Sequence, residues 1–522
     1  MRKFIKKYSI FFSSICTIFV VYITCIYFYK FSDVLTFNRP KVISSDAKVL
    51  QTFSADNAIS YEATDFYSST YIKATIPHTD YNPIVYILSD KLDVSYLTNY
   101  LASFGYLCFN LIPSDIYNLE NVFKEINSSF DAITVDFGNS LINKGDKGSV
   151  SIIGIGKAGN YVFNTALFPP DSSIINLVST LLIAPSINFN NNQTTIPTAP
   201  IGVVLPEFDG ITRNLDGQTI YNNYLFSDEL LEPISILYLF GANYNFFYEN
   251  PIEDDALNIE VIKNPPDDIE QIFRLSIQEQ QNFLRNYTLE FLNFYQNGKV
   301  TTNIGLNSDE ISPNIVFNHK VLTSLINADS FSVILPGKTP LIKYNNLGGD
   351  IIMNNASISY VRESYIAPYD SAVSFLHPGL FVDIGLLNLS WNVDTGKFTT
   401  LIPDIHQDIS EYTSLSIWLA TNPSSSLNAK FKEQSFIMTI KDDIGRQEHI
   451  LLKSQNALEI PNGKELVNKY QSQWSTFTPL SNIRIPLDIL TKINKKNIAS
   501  ISLNFNQTQS GSIYVGDIRF LK

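Results

Sequence analysis

The chain has 522 residues, of which 45% are hydrophobic, 13% aromatic and only 17% charged, a composition that excludes intrinsic disorder and suffices for about two to four folded domains. The formal net charge of −13 argues against a nucleic-acid partner, because phosphate binding needs a clustered basic surface. The three cysteines form neither a disulfide framework nor a metal-binding spacing, and we expect no metal and no cofactor.

The N-terminus predicts a membrane anchor. Four basic residues lie in "MRKFIKK", and residues 8–28 follow without a charge. A helix of this length is about 30 Å long, which matches the hydrocarbon core of a bilayer. The basic flank favours a cytoplasmic N-terminus, and the exit "IYFYK" lacks the small residues of a cleavage site. We therefore expect residues 1–30 to be a cytoplasmic stub and uncleaved signal anchor, residues 31–60 a linker, and the bulk of the chain to be extracytoplasmic.

Predicted strands and helices alternate between about residues 61 and 300. Helical spacing predicts helices over residues 93–106, 119–141 and 276–298, and a further helix opens at "AGNYVFNTAL". Strands that are apolar throughout and alternate with helices are typical of a parallel sheet covered on both faces. The apolar runs that predict strands are "NPIVYIL" (82–88), "LCFNLI" (107–112), "SVSIIGI" (149–155), "STLLIAPS" (179–186), "APIGVVLPEFDG" (199–210) and "PISILYLFGAN" (233–243).

The pattern changes after about residue 325. Short β-type runs separated by turn residues predict an all-β sandwich or jelly roll over residues 325–522. "PDIHQDIS" places two carboxylates and a histidine at alternating positions, which suits a cation site or an ordinary strand-edge loop: Asp404, His406 and Asp408. Three tryptophans suit either the core or a platform for sugar rings: Trp391, Trp418 and Trp474.

A glycine-rich turn joins a strand to a helix in "SVSIIGIGKAGNYVFNTAL" (149–167). Gly154, Gly156 and Gly159 spell G-x-G-x-x-G, a dinucleotide-binding pattern. Two predicted strands precede this turn, however, and the next strand ends without the acidic residue that would hold a ribose. A P-loop would continue with Lys and Ser or Thr, whereas Asn160 follows the last glycine. Nucleotide binding is therefore disfavoured.

The order of these segments, with "LASFGY" at the end of the first helix, resembles the α/β-hydrolase superfamily. In that fold a sharp strand-to-helix turn, G-x-S-x-G, presents a nucleophilic serine. The resemblance places Gly156 where the serine would stand and Asp209 at the acid. It places Tyr244, in "GANYN", where bacterial members with "GANHN" carry the histidine. The oxyanion loop, commonly "HG", corresponds to "LSDK" with Ser89 and Asp90.

Acyl transfer needs a hydroxyl, an imidazole and an orienting carboxylate, and of these three groups only the carboxylate, at Asp209, is kept. Gly156 has no side chain, and a phenol with a pKa of about 10 is a poor base near neutral pH. A carboxylate at Asp90 would oppose a developing oxyanion. Lys157 and Asn243 are candidates for residues that line a ligand pocket in place of a catalytic site.

The predicted fold class is α/β: a mostly parallel, α/β-hydrolase-like sheet flanked by helices over residues 61–320. A β-sandwich follows over 325–522, similar to galactose-binding-like, carbohydrate-binding modules, and one transmembrane helix precedes both. We expect a pseudo-hydrolase that acts by binding a ligand, a glycan or a protein. The alternatives are an active carboxylic-ester hydrolase with a non-standard nucleophile, such as Ser89 or Ser151 with His319 nearest as base, and a structural envelope protein.

Overall fold

The computed structural model describes residues 41–42, 62–67, 70–89, 93–113, 119–134, 137–187, 195–212, 216–227, 229–258, 273–298, 303–337, 342–362, 385–422, 425–429, 432–459 and 480–522. The chain divides into two compact units, Met1–Lys41 and Val42–Lys522. The predicted anchor over residues 8–28 and nearly all of the predicted linker lie outside the described residues. No helix within the described ranges combines the length and the apolar character needed to cross a bilayer.

A ten-stranded mixed sheet organises the first half of the larger unit. Its order is β2–β3–β5–β4–β6–β7–β8–β9–β11–β10, in which β4 to β9 are parallel and β3, β10 and β11 are each antiparallel to their neighbours. After a two-residue strand, β1 (Lys41–Val42), the strands are β2 (Glu62–Tyr67), β3 (Thr70–Ile76), β4 (Asn82–Ser89), β5 (Leu107–Pro113), β6 (Gly145–Ile155), β7 (Leu177–Ile183), β8 (Ile201–Phe208), β9 (Ile234–Asn243), β10 (Ile315–Val316) and β11 (His319–Ile326).

Helices cover both faces of this sheet, as the uninterrupted apolar strands predict. In β4, Tyr86 and Leu88 face the core beneath α2 and α3, whereas Val85 and Ile87 face the core beneath α1 and α5. The helices are α1 (Ser95–Ser103), α2 (Leu119–Asp131), α3 (Ala158–Leu167), α4 (Gln218–Tyr224) and α5 (Ile277–Asn297). Short 3-10 helices span Asn245–Phe247, Asp255–Asn258, Asp404–His406, Asn456–Leu458 and Leu487–Ile489.

The helix predicted over residues 119–141 is shorter than expected. α2 ends at Asp131, and the backbones of Thr134 and Gly138 pair as an isolated bridge. Ile133 and Thr134 are β-branched and disfavour helix, and Gly138 has a φ of 54°, which turns the chain. The apolar spacing of the sequence extends beyond the end of the helix because Phe137 packs into the same core as α2.

Two antiparallel sheets form the second half. One has the strands β19–β18–β21–β16–β13 side by side, and the other has the order β14–β15–β22–β17–β20 with β12 beside β22. The strands are β12 (Phe331–Ile334), β13 (Ile351–Asn354), β14 (Ala356–Arg362), β15 (Gly385–Trp391), β16 (Gly396–Leu401), β17 (Ser414–Thr421), β18 (Phe436–Asp442), β19 (Gln447–Leu452), β20 (Ser481–Pro486), β21 (Ile498–Phe505) and β22 (Gly511–Leu521).

The second of these sheets packs directly against the α/β part. Every residue of β17, β20 and β22 is buried, so both faces of these strands are covered. On the outer face, the Trp418 ring lies 5.4 Å from the ring of Tyr221 in α4, and Nη2 of Arg519 donates to the Leu225 carbonyl at 3.0 Å. The boundary predicted between residues 320 and 325 falls within β11, which extends the ten-stranded sheet.

Candidate functional site

The turn between β6 and α3 brings strand and helix unusually close together. Gly156 has a φ of 64°, a conformation that glycine adopts without strain, and its N–H donates to the Ile183 carbonyl at 2.9 Å. A Cβ atom on Gly154 would lie 2.8 Å from the Cα of Gly159, and one on Gly159 would lie 2.5 Å from the Cβ of Pro185. The three glycines of the motif therefore permit a tight strand-to-helix turn.

The phenol of Tyr244 fills the space in front of Gly156. A Cβ atom added to Gly156 would lie 1.8 Å from the Tyr244 hydroxyl oxygen and 2.8 Å from its Cζ. Tyr244 is 1% exposed, and its hydroxyl lies 3.2 Å from that of Tyr248. The structure thus brings the positions predicted for nucleophile and base together, and a tyrosine occupies the room that a side chain at position 156 would need.

Asp209, the predicted acid, follows β8 and is buried. Its Oδ1 accepts the N–H of Ile211 at 2.9 Å and that of Thr212 at 2.7 Å, so the carboxylate closes the turn after the strand. Burial, with a contribution from the negative charge of Asp255, raises the pKa of Asp209 to about 7 against the opposing effect of the two hydrogen bonds. The carboxyl ends of β6, β8 and β9 share one edge of the sheet, which places Asp209 at the same edge as the glycine turn.

A second carboxylate, Asp255, holds the loop that carries Tyr244. It is fully buried, and its Oδ1 accepts from Asn243 Nδ2 and from the N–H of Asn245, both at 2.7 Å. Its Oδ2 accepts from the N–H of Gly210 at 2.8 Å and from that of Tyr244 at 3.2 Å. Asp255 therefore ties the turn after β8 to the loop after β9. Burial raises its pKa, and these hydrogen bonds oppose the rise.

Asn243, predicted as a pocket residue, is also buried within this loop. Its N–H donates to Gln280 Oε1 at 3.0 Å, and its carbonyl accepts from the same amide. Its Nδ2 contacts Asp254 at 3.2 Å, and Asp254 in turn forms a bidentate pair with Arg274 at 2.6 and 2.7 Å. The contacts of Asn243 therefore stabilise the loop against α5.

Glu207 is a further carboxyl at the end of β8, and its side chain is partly buried. Its Oε2 accepts the N–H of Gly241 at 2.7 Å, where β9 departs from its register with β8 and Gly241 has a φ of 77°. Burial raises the pKa of Glu207 to about 7, although Lys320 lowers it. Glu207 and Asp255 were not predicted from the sequence, although "LPEFDG" places a carboxylate beside the predicted acid and "PIEDDAL" places carboxylates soon after the "GANYN" loop.

The oxyanion-loop residues are only partly described. Ser89 ends β4 and is fully buried, whereas Asp90 lies outside the described residues. Lys157 immediately precedes α3 and is exposed, so it remains a candidate for contact with a ligand at the turn.

Ser151 and His319, considered as an alternative nucleophile and base, make their contacts elsewhere in the fold. Ser151 lies inside the sheet, with its Oγ 2.7 Å from that of Ser179 on β7. His319 lies on β11, its ring 5.7 Å from that of Phe283, and burial lowers its pKa although Glu279 opposes this. Neither contact links these groups to the glycine turn.

Two of the tryptophans that could have met sugars are buried. Trp391 stacks on Phe505 in the sandwich core at 4.1 Å, and Trp418 lies between the sandwich and α4. Trp474 lies outside the described residues. In the ranges that the structure describes, no group of three His, Cys, Asp or Glu side chains is placed to hold a metal ion, and this includes "PDIHQDIS".

Comparisons with known proteins give little further information. No protein-family model and no curated protein matches the sequence. A solved structure that resembles part of the chain is an esterase from Pyrobaculum calidifontis, which is 13% identical and has a TM-score of 0.28 over 39% of this chain and 82% of the esterase. A likeness this weak supports neither a family nor an activity for the chain.

Proposed function

We propose that this chain is a membrane-anchored pseudo-hydrolase, which retains an α/β-hydrolase-like scaffold and acts by binding. The strand order supports the scaffold. Strands β4 to β9 lie in the order β5–β4–β6–β7–β8–β9, all parallel and with helices on both faces, which is the mostly parallel, helix-flanked sheet that the α/β-hydrolase resemblance implies. A glycine turn of positive φ joins β6 to α3, the kind of strand-to-helix turn on which that fold presents its nucleophile.

The observation that carries the proposal is the position of Tyr244 in front of Gly156. Acyl transfer requires an attacking group at the turn and a base within hydrogen-bond reach of it. Here the attacking side chain is missing, and a phenol stands in its place. The scaffold is preserved while the groups that would break an acyl bond are replaced.

The sandwich is the second part of the proposal. Within the two facing sheets, β15–β22–β17–β20 and β16–β21–β18–β19 are runs of four neighbouring strands, and two facing runs of four antiparallel strands are the arrangement of a jelly roll. We propose that this part provides the binding function, with a glycan or a protein as ligand. The apolar residues 8–28 would hold it at the outer surface of the membrane.

Ester turnover and covalent labelling test the loss of catalysis. We expect the purified full chain to give no reaction with short-chain p-nitrophenyl esters above buffer and no labelling by a fluorophosphonate, while a serine esterase in the same assay reacts with both. Labelling of one serine, together with turnover that its alanine variant loses, would show an active hydrolase instead. Ser89 and Ser151 are the first serines to replace in that case.

A further inference from the structure

The two sheets of the sandwich differ in what covers their outer faces. The outer face of β17, β20 and β22 is buried against the α/β part through Trp418 and Arg519. The outer face of the other sheet is partly accessible: alternate residues of β16 and β19 keep part of their surface exposed, whereas the short side chains of Thr439, Ser500 and Ser502 between them are buried. A ligand that binds an outer face of the described sandwich would therefore bind this one, which we call the open face.

The strand register defines the open face as three rows of side chains. The middle row runs across five strands through Ile352, Thr399, Ser502, Thr439 and His449. Its polar groups are already aligned: the Thr399 and Ser502 hydroxyls lie 2.9 Å apart, and the Thr439 hydroxyl lies 2.8 Å from His449 Nδ1. With strands about 4.8 Å apart, the row is about 19 Å long.

The flanking rows add amides and two cations. One contains Asn354, Lys397 and Asn504, and Asn504 Nδ2 donates to the Thr439 hydroxyl at 2.9 Å. The other contains Lys441, flanked by Ser500 and Gln447. Lys397 and Lys441 are the charged side chains of these rows, and His449 in the middle row is titratable.

The open face is positive in an acidic protein. Three further side chains complete the rows, Ile437, Leu451 and Leu401, so no row contains an Asp or a Glu, whereas the whole chain has a net charge of −13. Burial lowers the pKa of His449, and the positive charges of Lys492 and Lys397 lower it further against the opposing Glu448. Lys397, a cation of this face, therefore acts on its middle row.

We propose that the open face binds a polysaccharide that carries carboxylate groups. The hydroxyl, imidazole and amide groups that remain partly exposed on this face match the hydroxyls of a sugar chain, and the two lysines match its carboxylates. Lys397 and Lys441 lie two strands and four residues apart, about 16 Å between Cα atoms, which suits charges spaced along a polymer. The face lacks the Trp, Tyr and Arg anchors of protein interfaces, and two lysines are too few for nucleic acid.

This inference rests on the proposed binding function and names its ligand class. The test measures binding of the full chain, in detergent, to polygalacturonate and to its methyl-esterified form, which lacks the charges. We expect binding to the acid form that weakens as salt is added, and much weaker binding to the ester. The variant K397E/K441E should lose about tenfold in affinity, and the milder K397Q/K441Q should lose less.

The matched control is K124E/K147E, which makes the same change of charge on exposed lysines of the α/β part. It should bind as the wild type does, and circular dichroism should show that all variants fold. Equal binding of both polymers, no binding of either, or open-face variants that bind like the wild type would overturn the inference. If the polymer-binding test fails but the chain neither hydrolyses esters nor reacts with the fluorophosphonate, the pseudo-hydrolase proposal stands and only the ligand class is wrong. The failure of this inference can therefore be distinguished from the failure of the proposed function.

Discussion

The Tyr244 hydroxyl oxygen lies 1.8 Å from the position that a Cβ atom on Gly156 would take. The two residues are far apart in sequence, yet their substitutions constrain each other. Tyrosine at position 244 can occupy this space only because residue 156 has no side chain. Any side chain at position 156 requires the tyrosine, or the backbone on either side, to move.

Gly156→Ala should therefore destabilise the fold more than its backbone conformation alone explains. We expect a loss of about 3 kcal/mol in the free energy of unfolding, the sum of an unfavourable positive φ and a steric clash. Gly298→Ala is the matched control, because Gly298 has a φ of 59° and a Cβ atom added there would meet nothing within 4 Å; it should lose about 1 kcal/mol. Urea unfolding monitored by circular dichroism measures both.

Shortening Tyr244 completes this double-mutant cycle. In a Tyr244→Ala background, the further loss from Gly156→Ala should fall to about 1 kcal/mol, because the clash is gone. Equal losses for Gly156→Ala with and without the tyrosine would contradict the close approach of the two residues.

Asp255→Asn should loosen the loop that holds Tyr244. The amide nitrogen of an asparagine would face backbone N–H groups in place of an acceptor, and we expect a loss of about 2–3 kcal/mol in the free energy of unfolding. The neighbouring Glu253 is exposed, so Glu253→Gln should change stability by less than about 0.5 kcal/mol. Thermal unfolding of the two variants side by side provides the comparison, and similar values would argue against a structural role for Asp255.

The carboxyls of Asp209 and Glu207 should make the protein less stable as the pH rises towards neutrality. Their pKa values are about 7 in the folded chain and about 4 in an unfolded chain, so the folded state binds more protons between these values. Their contribution to stability is complete below about pH 4 and is lost as the pH rises through 7. Urea unfolding across this range should show a weaker pH dependence in Glu207→Gln/Asp209→Asn than in the wild type.

Asp171 provides a control of opposite sign. Hydrogen bonds from Ser173 lower its pKa, so this carboxylate contributes stability above its unfolded pKa and loses it as the pH falls. Asp171 is exposed, and Asp171→Asn should produce a small change in the opposite direction. A double variant that follows the pH dependence of the wild type would show that neither of the two carboxyls titrates near neutrality.

Arg519→Met should destabilise the contact between the sandwich and the α/β part. The guanidinium pairs with Asp517 and donates to the Ser330 hydroxyl and the Leu225 carbonyl, both at 3.0 Å. Its removal leaves a buried carboxylate without its partner, for which we expect a loss of about 3–5 kcal/mol. Lys147→Met breaks an exposed ion pair with Asp131 and should lose at most about 1 kcal/mol. A loss for Arg519→Met no larger than this would contradict a tight interface.

Features that depend on neighbouring residues in sequence could be predicted from the sequence. The helix predicted over residues 276–298 corresponds to α5, because Ser276 and Glu279 form a capping box at its start and Gly298 ends it in the left-handed conformation. The apolar runs likewise predicted β4 to β9 to within a few residues, since a strand buried on both faces is apolar at most of its positions.

Features that depend on distant residues could not be predicted in this way. The sequence shows a tyrosine at position 244, but the position of the loop that carries it is fixed by Asp255, which accepts hydrogen bonds from two different loops. Trp418 lies in a continuous apolar run of β17, and such a run does not show whether its side chain faces the sandwich core or the face that α4 covers. Such outcomes depend on how separate elements pack, which a local pattern does not contain.

Strand β22 joins three strands that are made before it. It hydrogen-bonds to β15, β17 and β12, all of which precede it in the chain, and all of its residues are buried. During synthesis these earlier strands leave the ribosome without the neighbour that joins them, and the sheet cannot close until residues 511–521 follow. The contact between the sandwich and the α/β part is therefore completed only after residues 511–521 have been made, and premature termination before residue 511 would leave several open strand edges prone to aggregation.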